Sequence, residues 1–288
     1  MKKFTYHTPA GIGEALELLA VYKEDSALVA GGTDVVIELN ERKKTPAHVI
    51  DISRIDELRY IRQDTHIRIG ALNTFAALEK DQWIRAMLPA LHETVVHVGS
   101  PQIRNLGTIG GNVVNASVAG DSPTTLLAYG GELVLRSTKG ERVMTIDEFN
   151  EGPGRCQIRP DELLTEVRIP MLNRNEGVGY FKIGKRKSLA IVVLAVSIYI
   201  KRSLDNRIED CRVVLGAVGK HPMRVPEVEA ALRDKPVARN VFRESLPLFT
   251  AVVQKTIATR PSVVYKREGV RGAAMGCFEQ ILSDFELA

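Results

Sequence analysis

The chain has 288 residues, 39 Lys plus Arg against 35 Asp plus Glu, and a formal net charge of +4, too small an excess to mark a nucleic-acid binder. Hydrophobic residues make up 44% and charged residues 26%, an ordinary globular balance, and a chain of this length buries about three-quarters of its unfolded surface in one large or two small domains. No apolar run approaches the roughly 20 residues that span a bilayer, and Met1-Lys2-Lys3 leads into Phe4-Thr5-Tyr6-His7 without a signal-peptide core, so a cytoplasmic protein with no membrane contact is expected.

In chain order, residues 14–22 place Ala15, Leu16, Leu18 and Leu19 on one face of a predicted helix. Residues 26–30 read as a short apolar strand. Gly31-Gly32-Thr33-Asp34 follows, then a helical stripe of Val35, Val36 and Leu39 that Thr33 or Asp34 can cap. A strand, a Gly-Gly turn and a helix start bring free N–H groups and the positive end of the helix dipole to one point, where an anion is stable. The same segment also reads as an ordinary strand-to-helix turn. It matches neither the GxGxxG nor the GxxxxGK[ST] pattern, which excludes a Rossmann or P-loop assignment.

Residues 48–52 and 66–72 read as strands, and 74–79 and 83–98 as helices. The stretch 99–123 shows neither periodicity and reads as a long irregular loop rich in glycine and hydrogen-bonding groups, of the kind that has a functional reason. Within it lie Ser100, Thr108, Ile109, Gly110, Gly111, Asn112 and Val113. The side chain of Ile109, between glycines, is placed to touch a flat ring while neighbouring N–H groups serve polar atoms. Asp121 can accept hydrogen bonds from sugar hydroxyls or cap the helix predicted over 123–129. Strands follow at 132–137 and 162–169, and residues 170–177 form the best linker.

Beyond the linker, 179–183, 191–202 and 207–218 predict three antiparallel strands, with a hairpin turn at Leu204-Asp205-Asn206 and 188–200 as the buried central strand. Helices follow at 226–232, 241–258 and 271–285. The fold class is α+β. Cys156, Cys211 and Cys277 are scattered, short of the four thiolates an iron–sulfur cluster needs, and the six histidines form no ligand pair, so no metal is expected on this chain. No nucleophile–base pair or paired carboxylates stand out, so no catalytic residues are assigned. A bound cofactor would then bring the reactive group.

The glycine segments carry a resemblance. AGGTD at 30–34 and IRNLGTIGGNVVNASVAGDSP at 103–123 resemble the two flavin-binding loops of the FAD-binding subunits of molybdenum hydroxylases, the xanthine dehydrogenase relatives. The likeness extends through GALNTFAALE at 70–79 and KIGKRKSLAIVV at 182–193. At RPSVVYKREGVRG, residues 260–272, it is most similar to the nicotinate dehydrogenase branch. The resemblance implies a two-part FAD-binding domain of the PCMH type, vanillyl-alcohol-oxidase-like, at 1–175, and a C-terminal domain of the CO-dehydrogenase flavoprotein type at 176–288. It implies FAD, with Leu28, Val29, Ala30, Gly31, Gly32, Thr33, Asp34 and Val35 around the pyrophosphate. Ser100, Thr108, Ile109, Gly110, Gly111, Asn112 and Val113 would lie along the adenosine–ribityl side, Asp121 on a hydroxyl, and Leu164 and Lys182 near the ring. A lysine on a strand edge, by contrast, ordinarily faces solvent.

The resemblance further implies a molybdopterin-binding large subunit and a [2Fe–2S] small subunit as partners, and NAD(P) or another acceptor for the electrons. Many family members carry an aspartate and a flavin-covering aromatic where this chain reads Leu189 and Ala190, which leaves the acceptor open between NAD, a ferredoxin-like protein and oxygen. A stand-alone flavin oxidase and a non-redox nucleotide-binding module are the alternatives.

Overall fold

The computed structural model describes residues 3–186 and 191–287. The chain opens with β1 (Thr5–His7), α1 (Ile12–Tyr22), β2 (Ser26–Val29), α2 (Val35–Asn40) and β3 (His48–Asp51). β3 lies between β1 and β2 and pairs with both in parallel. Parallel neighbours need a crossover, which α1 and α2 supply. Ala15, Leu16 and Leu19 of α1 are buried with Ile50, Ile52 and Leu58, whereas Leu18 is only half-buried.

The second part contains β4 (Ile61–Gln63), β5 (His66–Gly70), α3 (Phe75–Lys80), α4 (Gln82–Met87), α5 (Pro89–Val96), α6 (Pro101–Leu106), α7 (Ile109–Val114) and α8 (Asp121–Tyr129). It continues with β6 (Glu132–Ser137), β7 (Gly140–Thr145), α9 (Ile146–Phe149), β8 (Asn150–Gly152), β9 (Arg155–Cys156) and β10 (Leu163–Pro170). Five of these strands form an antiparallel sheet in the order β4-β5-β10-β6-β7, with a bulge between Leu164 and Glu166. Ile67, Ile69, Leu133, Leu135, Val167 and Ile169 point to one face of it and join the main core with α5 and α8.

Two sequence expectations change here. The single helix over 83–98 breaks at Leu88, because Pro89 cannot donate the N–H that would continue it. The stretch 99–123 is not irregular. It holds α6, α7 and the start of α8, and the first two are six-residue helices too short to show a period.

The C-terminal part comprises β11 (Glu176–Gly184), β12 (Val192–Arg202), β13 (Ile208–Gly216), β14 (Met223–Arg224), α10 (Pro226–Leu232), α11 (Arg239–Thr256) and α12 (Val263–Leu287). The sheet order is β11-β12-β13-β14, so the expected three strands gain a fourth, two-residue strand beside β13. β12 is interior and apolar throughout its middle, as expected. The earlier residues of that predicted strand, Ser188 to Ala190, lie outside the described residues. One face of the sheet packs on α11 and α12, where Phe242 and Phe278 stack 4.0 Å apart. The other meets α8. Lys182, Ala195 and Gly216 lie side by side across β11, β12 and β13, and Gly216 rests against Thr124.

Candidate functional site

Both glycine segments end at short helices, and the fold brings them together. Gly31 faces the backbone of Leu106 and Gly107 so closely that a Cβ would stand 2.6 Å from the Leu106 carbonyl carbon and 3.1 Å from Gly107 Cα. Gly32, at φ +70°, adopts the left-handed turn that glycine takes without strain. Asn115 Nδ2 donates to Asp34 Oδ1 at 3.2 Å, a second tie between the segments. Among the described residues, the backbone N–H groups of Gly31, Gly32, Thr33, Asp34 and Val35 donate to nothing, while Val36 N begins the helical pattern by bonding Gly32 O at 3.3 Å. Five successive donors at a helix start, beside a second glycine wall, form an anion cradle. Asp34 takes the N-cap position without a side-chain bond, so neither it nor Thr33 caps α2 as the sequence suggested.

The second wall is rigidly held. Phe75 N bonds Gly107 O, Ile109 N bonds Asn73 O, and Gly110 N bonds Ala71 O, each at 3.0 Å. A Cβ on Gly110 would stand 2.7 Å from that of Ala71. Ser100 and Thr108 are the N-caps of α6 and α7, accepting from Ile103 N at 3.2 Å and Gly111 N at 3.0 Å, which leaves each hydroxyl proton free to donate. Asn112 Oδ1 accepts from Ser122 Oγ at 2.7 Å, tying this wall to α8. Ile109 and Val113 are fully buried in the main core. Ile109 therefore does not offer its side chain to a flat ring, as the sequence suggested; it anchors the wall from behind. Leu164 is also buried, on β10 beside the bulge.

Asp121 and Lys182 meet. Lys182 Nζ lies 2.7 Å from Asp121 Oδ1 with its side chain only 7% exposed, and it also donates to His97 O at 2.8 Å. Tyr180 donates its hydroxyl to the same Asp121 oxygen at 3.2 Å. The solvent-facing reading of Lys182 is thus wrong: alternation along β11 turns Tyr180 and Lys182 to one face, onto the start of α8. Burial pushes the Asp121 carboxyl above its ordinary range, against the opposing pull of Lys182, Tyr180 and His97. Asp121 Oδ2 receives no donor among the described residues and remains available to a hydroxyl. Nor does Asp121 cap α8 through its side chain. Thr124 Oγ1, one turn into α8, is buried without a partner.

Sequence reasoning missed Tyr180, and although it placed Leu106, Gly107 and Asn115 within the second glycine segment it gave none of them a role of its own. The period of two from Lys182 was a usable signal for Tyr180; the others depend on tertiary approach. The departure at Leu189 and Ala190 lies outside the described residues. Among the described residues, no three His, Cys, Asp or Glu side chains converge as metal ligands, and no helix is long and apolar enough to cross a membrane.

A family profile described as the FAD binding domain in molybdopterin dehydrogenase matches residues 2–172, and one described as the CO dehydrogenase flavoprotein C-terminal domain matches 179–281. The chain is 38% identical to the nicotinate dehydrogenase FAD-subunit of Eubacterium barkeri, over 99% of this chain and 98% of that protein. It is 34% identical to caffeine dehydrogenase subunit beta of Pseudomonas sp. strain CBB1, over 83% and 81%. A chain of carbon monoxide dehydrogenase from Hydrogenophaga pseudoflava superposes with a TM-score of 0.89 at 28% identity, covering 98% of each. The chain belongs to the family of FAD-binding subunits of the molybdenum hydroxylases.

Proposed function

We propose that this chain holds FAD non-covalently in the cleft between its glycine walls, receives electrons from a [2Fe–2S] small subunit, and passes them to NAD(P) or another acceptor. The electrons originate at a molybdopterin-binding large subunit that hydroxylates an N-heterocycle of the nicotinate or purine type. The observation that carries this reading is the run of five unpartnered N–H groups from Gly31 to Val35 at the joint with Leu106 and Gly107.

Residues 1–175 form the FAD-binding domain and 176–288 the C-terminal domain that closes on it through Lys182. The N–H run takes the pyrophosphate with α2 behind it. Leu28, Val29 and Ala30 aim the turn. Ser100, Thr108, Gly110, Gly111 and Asn112 line the adenosine–ribityl side, with Ile109 and Val113 fixing that wall, and Asp121 Oδ2 accepts a ribityl or ribose hydroxyl. Leu164 and Lys182 approach the ring from β10 and β11. Because Lys182 is paired with Asp121, it presents the ring with a dipole rather than an isolated cation. Bound FAD supplies the electron-accepting ring; the protein contributes binding, orientation and electrostatics. The complex works in the cytoplasm.

Purification from the native source, followed by anaerobic addition of the heterocycle, tests the assignment. The chain is expected to travel with both partners, and its flavin to bleach only when the small subunit is present. A monomer that hydroxylates the heterocycle by itself contradicts it.

A further inference from the structure

The face of the five-stranded sheet opposite the main core carries charges in an arrangement that needs an explanation. Arg62 on β4 stands directly opposite Arg68 on β5, and Arg68 directly opposite Arg168 on β10. Neighbouring strands lie about 4.8 Å apart, and like charges in register across them destabilise a sheet. Glu166, its side chain 3% exposed, supplies part of the compensation. It accepts from Arg68 Nε at 2.9 Å and Nη2 at 3.1 Å, from Arg168 Nε at 2.5 Å and from the Tyr60 hydroxyl at 2.5 Å. Its oxygens are fully committed, and they fix the two inner guanidiniums in place.

The outer guanidiniums are less closely matched. Arg62 lies over the Tyr60 ring, 4.7 Å from its centroid, with no ion-pair partner among the described residues. Arg136 on β6 reaches Glu141 only at 4.0 Å. Both line, with Arg68 and Arg168, a concave cavity of about 330 Å³. Four guanidiniums there face three carboxylates, and one of these, Glu57, is turned to the first N–H of α1 at 3.4 Å. Arg68 also meets Asp64, outside the lining, at 3.4 Å, and Arg168 meets Glu141 at 3.5 Å. What the cavity leaves without a close carboxylate is the charge of Arg62 and Arg136, over a polar floor and with more room than a single ion needs.

We propose that this cavity binds a small anion carrying two oxyanion groups, a diphosphate or a dicarboxylate, contacted by Arg62 and Arg136 over the base that Arg68, Arg168 and Glu166 hold in position. The guanidinium fork matches carboxylate and phosphate oxygens equally well, and an anion laid along the row relieves its self-repulsion. Glu166 and Arg168 alternate with Val167 and Ile169, which face the core, so the site is separate from the flavin cleft.

The test is calorimetric titration of the native, FAD-loaded protein with inorganic pyrophosphate and, separately, malonate, at constant ionic strength. Saturable one-to-one binding with a dissociation constant between about 0.1 and 1 mM is expected for at least one probe. The preferred probe shows whether phosphate or carboxylate is the natural chemistry. Arg62→Ala combined with Arg136→Ala, both at exposed positions, should weaken binding at least about tenfold with flavin content unchanged. No saturable binding of either probe up to about 10 mM, or equal binding by the double variant, overturns the proposal. So does loss of the partner subunits from the double variant, which would make this face a protein interface.

Discussion

Replacing Gly31 by alanine perturbs the joint between the two glycine walls and little else. The added methyl falls on the Leu106 carbonyl group, 2.6 Å from its carbon, and 3.1 Å from Gly107 Cα. Ordinary carbon contacts begin near 3.5 Å, so one wall must retreat by roughly 0.9 Å. Both sides are backbone, and no rotamer change can absorb the shift. Overpacking of this kind costs about 1–3 kcal/mol of stability. The larger effect falls on the ligand: if two of the five N–H groups lose alignment with the pyrophosphate, at about 1.5–3 kcal/mol for each bond to a charged group, affinity drops by roughly two to four powers of ten. Flavin per chain after desalting, together with fluorescence titration of the apoprotein with FAD, measures this on protein shown to be folded. Gly13→Ala is the control: nothing lies within 4 Å of a Cβ there, and helix propensity favours alanine by up to about 1 kcal/mol. Wild-type flavin content and affinity in folded Gly31→Ala would refute the cradle.

Two further substitutions probe the supporting electrostatics. Lys182→Met leaves Asp121 buried without its cation and removes the bond to His97 O. Unfolding by denaturant should show a loss of about 3–5 kcal/mol, accompanied by flavin release, and a change below about 1 kcal/mol would count against a buried pair. For Glu166, burial pushes the carboxyl up, but hydrogen bonds from Tyr60, Arg168 and Arg68 outweigh it and hold the group below its ordinary 4.5. The stability from ionised Glu166 is therefore complete above pH 4.5 and lost as pH falls through the lower folded value. Glu166→Gln should flatten the acid limb of the stability curve below that point; parallel curves for the two proteins would show that the network carries no such linkage.

Much of the fold was legible locally. β6 and α10 have the bounds read from sequence, because Gly130-Gly131 marks the start of one and Pro226 the start of the other. β1 and β14 were invisible, since three and two residues carry no period and exist only through their partners. The stretch 99–123 was misread for a related reason: two six-residue helices with glycines inside defeat a periodicity argument. Ser100 before Pro101, and Thr108 three residues ahead of Gly111, are nonetheless readable N-cap signals. At the site, the glycine segments announced themselves by composition, but their mutual contact through Gly31 did not. The pairing of Lys182 with Asp121 was equally hidden, because a long sequence separation leaves no local trace.

The most direct test of the account is the flavin itself. Acid or heat denaturation of the natively purified protein should release FAD into the supernatant at one equivalent per chain, because no covalent link is expected and the cradle suits a pyrophosphate. Recovery of FMN, of flavin bound to the precipitated chain, or of protein without flavin from a source where the partner subunits are loaded, would contradict it.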